Sequence, residues 1–142
     1  MGKLIQIDDV WQAPGIGQTF APLKWSGDDT VDRLSNFVRA AHVKPLNTYA
    51  AWMEMSLVEL NVLLKRATGM SVQAWCTALT MQDARGLLLC TDKNTETVAK
   101  LLHFPSRRAF SNYFIRYQGE SPSAYRRSRR HVEKLTKINI RW

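Results

Sequence analysis

The chain has 142 residues, the length of one domain, and its longest apolar run is far short of the ~20 residues that cross a bilayer. Its two cysteines, Cys76 and Cys90, are too few for a disulfide scaffold or a four-thiolate zinc site, so we expect both to be reduced and packed as small apolar side chains in the cytoplasm. The net charge of +8 falls on the second half, where residues 65–142 hold 15 basic and 5 acidic side chains, and such a one-sided excess favours a polyanionic partner.

The first 27 residues are predicted to be an irregular amino-terminal segment. Pro14, Gly15, Gly17 and Pro22 interrupt local structure there, and only residues 3–7 have the pattern of a short strand. No helical periodicity is present in this segment. We therefore place the start of the folded domain at about residue 28.

From residue 28 onward, apolar side chains recur with the spacing of helices, and capping residues mark the helix ends. The predicted helix starts are Asp28, about 46, Ser56, Ser71, Thr95 and Ser106, with Gly69 and Gly119 as helix ends. Side chains predicted to face inward in the two helices that end at these glycines are Leu60, Leu63, Leu64, Ala67, Ala109, Phe110, Phe114 and Tyr117. No strand pattern of useful length separates these segments, so the sequence predicts an all-α domain.

The segment that follows Ser56 recurs fifty residues later. The matched pairs are Ser56 and Ser106, Leu60 and Phe110, Leu64 and Phe114, Arg66 and Arg116, and Gly69 and Gly119. Each copy is a short helix, a tight turn and a capped second helix, which is the helix-turn-helix arrangement. A linking helix of about 18 residues would span ~27 Å, near the ~34 Å between successive major-groove faces of DNA. We therefore expect one chain to reach two neighbouring grooves as a monomer.

Over roughly residues 30–130, the sequence resembles the AraC/XylS family of bacterial transcription regulators. The most specific segment is Gly119-Glu-Ser-Pro-Ser-Ala-Tyr-Arg-Arg127, and further matches are Met55-Ser56, Gly69-Met-Ser71 and Ala84-Arg85-Gly86-Leu87-Leu88. The resemblance implies about seven helices in two helix-turn-helix lobes joined by a long linking helix. It also implies that the third and sixth helices enter the major groove of double-stranded promoter DNA. Regulators of this family are commonly activators that contact RNA polymerase, so the resemblance implies the same role here.

The resemblance divides the chain into an irregular segment, a double helix-turn-helix domain and a tail. The expected bounds are 1–27 for the segment, 28–131 for the domain and 132–142 for the basic tail, with lobe one at about 28–70, the linking helix at about 71–90 and lobe two at about 91–131. Because 27 residues cannot form a sensor domain, the chain resembles the small stand-alone members, which are cytoplasmic and associated with the nucleoid. A truncated relic of a larger regulator is the competing interpretation.

Two departures from the family pattern bear on structure and binding. Glu54 and His103 occupy the turn positions where the family has glycine, so either the turns avoid the left-handed conformation or these residues are strained. The linking helix lacks the arginines that the family carries, which predicts weaker phosphate contacts there. The residues at those positions are Thr77, Ala78, Thr80 and Asp83.

In the second lobe, the expected outward face of the sixth helix is polar and basic. It contains Arg107, Arg108, Ser111 and Asn112, and the family's base-reading positions match Arg108, Ala109, Ser111 and Asn112. Arginine can donate two hydrogen bonds to guanine O6 and N7, and asparagine can pair with adenine. We therefore predict that this helix reads bases.

In the first lobe, the equivalent face is weaker as a base reader. Val58 and Val62 could contact thymine methyl groups, Asn61 could pair with adenine, and Glu59 would repel phosphate. We expect this lobe to contribute little affinity. A protein-binding role for the same surface is the alternative.

Phosphate contacts are predicted at helix starts and at exposed basic residues. The candidates are Ser56, Lys65, Arg66, Ser106, Arg116, Arg126 and Arg127. The basic tail could add non-specific attraction through Arg129, Arg130, Lys134, Lys137 and Arg141. Tyr125 is predicted to pack its ring against the second lobe instead of stacking on a base.

The sequence does not indicate an enzyme, a cofactor or a metal site. His42, His103 and His131 lack the spacing of metal ligands, and no glycine-rich phosphate loop is present. The main alternative to a DNA-binding regulator is a protein-interaction module with degenerate DNA binding, either an antagonist of a larger regulator or a polymerase adaptor, for which Trp11 and Trp25 would add apolar surface. An RNA or anionic-surface binder is the third possibility.

Overall fold

The computed structural model describes residues 4–7 and 26–129, and the regular secondary structure of these residues is helical throughout. The helices are α1 (Asp29–Ala40), α2 (Leu46–Trp52), α3 (Leu57–Thr68), α4 (Val72–Cys90), α5 (Thr95–Leu101), α6 (Arg107–Gln118) and α7, which covers the described residues 122–129. The predicted all-α fold of about seven helices is confirmed. Predicted features that lie outside the described residues are the breaks at Pro14, Gly15, Gly17 and Pro22, the side chains of Trp11, Trp25 and His131, and the tail from Arg130 onward.

The amino-terminal strand prediction is wrong for the residues that the structure describes. Residues 4–7 form no strand. The Ile5 amide donates to the Ala67 carbonyl oxygen at 2.9 Å, so this stretch is held against the end of α3 and has no strand partner there. Ile5 and Ile7 pack on the first hydrophobic core, which explains their alternating apolar pattern.

The predicted repeat is present in the backbone. Helices α2 and α5 each have 7 residues, and α3 and α6 each have 12. The Ser56 hydroxyl accepts from the Glu59 amide at 3.1 Å, and the Ser106 hydroxyl accepts from the Ala109 amide at 3.0 Å. Both helices end at a left-handed glycine, with φ of +78° at Gly69 and +89° at Gly119, where a side chain would be strained. The two units are therefore copies in local geometry.

The turns inside the two units adopt the left-handed conformation without glycine. Glu54 has φ of +58° and His103 has φ of +63°. The residues that follow them close the two turns in the same way. The Met55 amide donates to the Ala50 carbonyl oxygen at 3.1 Å, and the Phe104 amide donates to the Ala99 carbonyl oxygen at 2.9 Å. A non-glycine residue in this conformation costs roughly 1–2 kcal/mol, so both turns carry strain that the surrounding packing maintains.

Two hydrophobic cores are built on opposite ends of α4. Trp75 and Leu79 belong to the first core, and Leu87 and Leu88 belong to the second. The other buried members of the first core are Val31, Leu34, Val38, Tyr49, Ala50, Met53, Leu60, Leu64, Val72 and Cys76. The other buried members of the second are Met81, Ala84, Val98, Ala99, Leu102, Phe104, Phe110, Phe114 and Tyr125. The linking helix is thus a structural part of both lobes.

Three predicted inward positions are corrected by the structure. Leu63 is 37% exposed and Tyr117 is 40% exposed, because α3 and α6 are packed on one side only and these residues lie at the edge of the buried stripe. Cys90 is exposed at the end of α4, whereas Cys76 is buried as predicted. Burial raises the pKa of the Cys76 thiol to about 12, which keeps it protonated at neutral pH.

The first lobe is joined to the linking helix through a buried charged cluster. The Asp83 carboxylate lies 2.7 Å from His42 Nε2 and 3.5 Å from Arg39 Nε, and all three side chains are buried. The His42 ring stacks on His103 of the second lobe with centroids 6.0 Å apart. Asp83 and the buried Thr80 therefore serve packing in this fold. The weaker phosphate contacts expected of a linking helix without the family's arginines stay a prediction.

Candidate nucleic-acid interface

Helix α6 presents its predicted base-reading residues on one face. Phe110 and Phe114 are fully buried, and their positions turn the opposite side of the helix outward. Arg107, Arg108 and Asn112 are exposed there, and the described residues place no carboxylate within 4 Å of either guanidinium group; Ser111 is half-buried beside them. Ala109 is also half-buried and packs on the second core, so its methyl group is only partly accessible to a partner.

Helix α3 presents an apolar face at the equivalent place. Val58 is 74% exposed and Val62, one turn later, is 51% exposed. The polar residues between them are engaged within the protein. Asn61 Oδ1 accepts from the Val72 amide at 2.9 Å, and the Glu59 carboxylate accepts from the Ser56 hydroxyl at 3.3 Å.

The hydrogen bond to Val72 bears on the prediction that Asn61 pairs with adenine, which stays a prediction. A two-bond contact to adenine needs both the carbonyl and the amino group of asparagine, and the carbonyl of Asn61 caps the start of α4. The second lobe has no such requirement, because Pro122 stands where the first lobe has Val72 and proline has no amide hydrogen at this helix start. Ser111, at the position equivalent to Asn61, is not needed as a cap.

The predicted phosphate contacts divide into exposed residues and one that the fold uses. Lys65, Arg66, Arg116 and Arg127 are exposed. Ser56 and Ser106 are exposed at the starts of α3 and α6, where their hydroxyl groups cap the helix amides. The Arg116 guanidinium lies 5.4 Å from the Tyr117 ring centroid, which leaves its edges open to solvent.

Arg126, a predicted phosphate contact, is engaged within the fold. Its Nε donates to the Leu88 carbonyl at 2.8 Å and its Nη2 lies 3.4 Å from the Thr91 carbonyl. This half-buried guanidinium thus ties α7 to the end of the linking helix. Tyr125 packs beside it as predicted, with its ring centroid 5.4 Å from that of Phe114.

The two lobes differ in charge as well as in face chemistry. Residues 28–71 contain five basic and five acidic side chains, whereas residues 91–129 contain eight basic and three acidic ones. In the second lobe, two of the acidic side chains are within 3.9 Å of a lysine or arginine. The positive field that attracts a polyanion is therefore centred on the second lobe.

A cleft lies between the two lobes, and no sequence pattern predicted it. A cavity of about 320 Å³ is lined by Lys44, Tyr49, Thr77, Tyr113 and Tyr117, which come from both lobes and from α4. Burial raises the pKa of Tyr113 above its usual value. Only the i, i+4 spacing of Tyr113 and Tyr117 on α6 could have pointed to this side of the helix.

Other kinds of site are not found in the part of the chain that the structure describes. Residues 4–7 and 26–129 contain no cluster of three or more histidine, cysteine, aspartate or glutamate side chains suited to a metal ion. Within the same ranges, no helix combines the length and the apolar character required to span a bilayer.

The comparison with known families agrees with this geometry. The family model described as a helix-turn-helix domain matches residues 49–128, which cover α2 to α7 and therefore both repeated units. The chain belongs to the AraC-type helix-turn-helix family. Members of this family are DNA-binding domains of transcription regulators, and the structure here has their fold.

Three individual proteins illustrate the similarity. The raffinose operon transcriptional regulatory protein RafR of Pediococcus pentosaceus is 31% identical over 77 residues, which are 54% of this chain and 28% of that protein. The C-terminal domain of AraT, a response regulator from Geobacillus stearothermophilus, has 25% identity and a TM-score of 0.62, covering 73% of this chain and 88% of that one. The DNA-binding domain of AdpA, a global transcriptional factor solved with a target DNA, has 26% identity and a TM-score of 0.61, covering 73% and 96%.

Proposed function

We propose that this AraC-type protein is a transcription regulator that binds double-stranded DNA as a monomer, through α6 and α3 in successive major grooves, with α6 supplying most of the base-specific contacts. The observation that carries this proposal is the exposed group of Arg107, Arg108 and Asn112 on one face of α6. These side chains have the donors and acceptors that distinguish bases in the major groove.

The length of the linking helix supports engagement of both grooves. Helix α4 has 19 residues, which corresponds to ~28 Å at 1.5 Å per residue, and successive major-groove faces are ~34 Å apart. Because α4 contributes to both cores, it holds α3 and α6 in one arrangement. The AdpA domain, whose structure includes a target DNA, has a similar fold and supports the same use of this one.

The proposal is tested by selecting a preferred duplex from a random library and measuring its affinity for an Arg108→Ala variant. Loss of a two-bond guanine contact should lower affinity for the preferred site by ~5–150-fold and relax one base position, while scrambled DNA is bound nearly as before. Arg33→Ala is the matched control, because Arg33 is an exposed arginine of α1 on the first lobe. Equal losses on preferred and scrambled DNA would contradict base reading by Arg108.

A protein-interaction module is the second candidate, and one observation favours it. Val58 and Val62 form an exposed apolar face on a helix that would otherwise meet phosphate-rich DNA. An antagonist or polymerase adaptor would use that face while binding DNA weakly. If the purified protein retards no duplex at about 50 mM salt, where phosphate contacts are strong, this second function replaces the first.

A further inference from the structure

Helix α3 exposes two short, branched aliphatic side chains on its outward face. Val58 and Val62 lie one turn apart and therefore on the same side of the helix. Val58 is the most exposed large hydrophobic side chain among the residues that the structure describes. Valine has no hydrogen-bonding side-chain atom and few rotamers, so these two side chains can recognise only another apolar group.

Two polar side chains beside these valines are engaged within the protein. Asn61 is turned towards the start of α4, and Glu59 is turned back to the cap at Ser56. Val58 and Val62 therefore present apolar groups, with the exposed Lys65 and Arg66 of the last turn beside them. The major-groove edge of DNA has one apolar group, the methyl group on C5 of a pyrimidine, which thymine always carries and cytosine carries when methylated.

We propose that α3 recognises pyrimidine C5-methyl groups through Val58 and Val62, so that the first-lobe half-site is specified by methyl contacts. This inference rests on the proposed function, because it requires α3 to enter a major groove. Within that groove, α3 would select bases that carry a C5-methyl group. The ordinary source of the methyl group is thymine, and 5-methylcytosine offers the same group beside a different base edge.

The second lobe provides an internal contrast. Fifty residues after Val58 and Val62, α6 has Arg108 and Asn112. Both helices have the same cap, length and end, so the two faces are held by equivalent frames. Removal of methyl groups should therefore weaken binding in one half-site and leave the other almost unchanged.

The test uses the full chain and its selected duplex, with thymines replaced by deoxyuridine in one half-site at a time. The half-site whose specificity Arg108→Ala relaxes belongs to α6, and the other, about one helical turn away, belongs to α3. Deoxyuridine lacks only the methyl group. We expect about a three- to fivefold loss of affinity for each contacted methyl in the α3 half-site. We expect no comparable loss in the α6 half-site.

The valines are tested by the double variant Val58→Ser, Val62→Ser. Both side chains are exposed, so the variant should fold, which its circular dichroism and melting temperature would verify. It should bind the thymine duplex as weakly as the normal protein binds the deoxyuridine duplex, and it should lose nothing further on deoxyuridine. Val43→Ser is the control, because Val43 is 40% exposed and lies outside α3. In the same half-site, 5-methylcytosine compared with cytosine shows whether the methyl group suffices or the thymine edge is also needed.

Two results would overturn the inference and leave the proposed function intact. In the first, deoxyuridine in the α3 half-site has no effect while Arg108→Ala still weakens binding, and the valine face is then available to a protein partner. In the second, deoxyuridine weakens binding equally in the normal protein and the double serine variant, so that other residues contact the methyl groups. If no duplex is preferred and Arg108→Ala has no effect, the proposed function fails and the inference fails with it.

Discussion

The two lobes solve the same folding problem and present different chemistry to a partner. Their second helices have the same length, a serine cap and a left-handed glycine, yet Val58 in α3 corresponds to Arg108 in α6, and Val62 corresponds to Asn112. The shared positions are those that cap, turn or fill a core. The two pairs named here are exposed, so their chemistry differs without altering the cap, the helix length or the core.

The largest expected difference between the lobes concerns how each is joined to α4. Asp83→Ala removes a carboxylate from the buried Arg39 and His42, and loss of one partner of a buried charged group costs about 3–5 kcal/mol. Arg126→Met keeps the apolar stem and loses bonds to main-chain carbonyls on the second-lobe side, at a cost of about 1–3 kcal/mol. Urea unfolding measures both. A larger loss for Arg126→Met would reverse the proposed ranking.

The next difference concerns phosphate contacts at equivalent positions. Arg66 and Arg116 are exposed in the last turns of α3 and α6 and correspond in the repeat. If the second lobe supplies most of the grip, Arg116→Ala should lower the slope of log affinity against log salt by about 1, and Arg66→Ala should lower it less. Titrations of a non-specific duplex at several salt concentrations provide the measurement. Equal slopes for the two variants would mean that both lobes contact DNA alike.

The smallest expected difference concerns the two strained turns. Replacing Glu54 with glycine should raise the free energy of unfolding by about 0.5–1 kcal/mol, because relief of the left-handed strain exceeds the entropy that glycine adds to the unfolded chain. His103→Gly should gain less, since it also removes the ring that stacks on His42. Thermal unfolding of both variants checks this order, and a destabilised Glu54→Gly variant would contradict it.

The features that the sequence predicted well are local ones. Ser56, Ser106, Gly69 and Gly119 act within one helical turn of their own positions, so their spacing reveals helix ends directly. The inward stripes were correct except at edge residues such as Leu63, whose exposure depends on how far the neighbouring helix extends.

The features that sequence reasoning missed depend on partners far along the chain. Asp83 is 41 residues from His42, and Arg126 is 38 residues from Leu88. Arg126 lies in a basic segment, so the sequence alone predicts a ligand contact, and only the fold shows that it donates to a main-chain carbonyl. The bond between Asn61 and the start of α4 was missed for a related reason, because it depends on whether the residue that starts the next helix has an amide hydrogen.

The position of α4 in both cores has a consequence for the DNA sites of such a regulator. Two recognition helices joined by a flexible linker would accept half-sites at many separations. Recognition helices that are packed on one continuous helix of 19 residues accept a single separation and a single rotational position around the duplex. Insertion of about five base pairs between the half-sites would turn one of them to the opposite side of the duplex. We therefore expect its target promoters to vary by base substitution and to keep an invariant length between the two contacted segments.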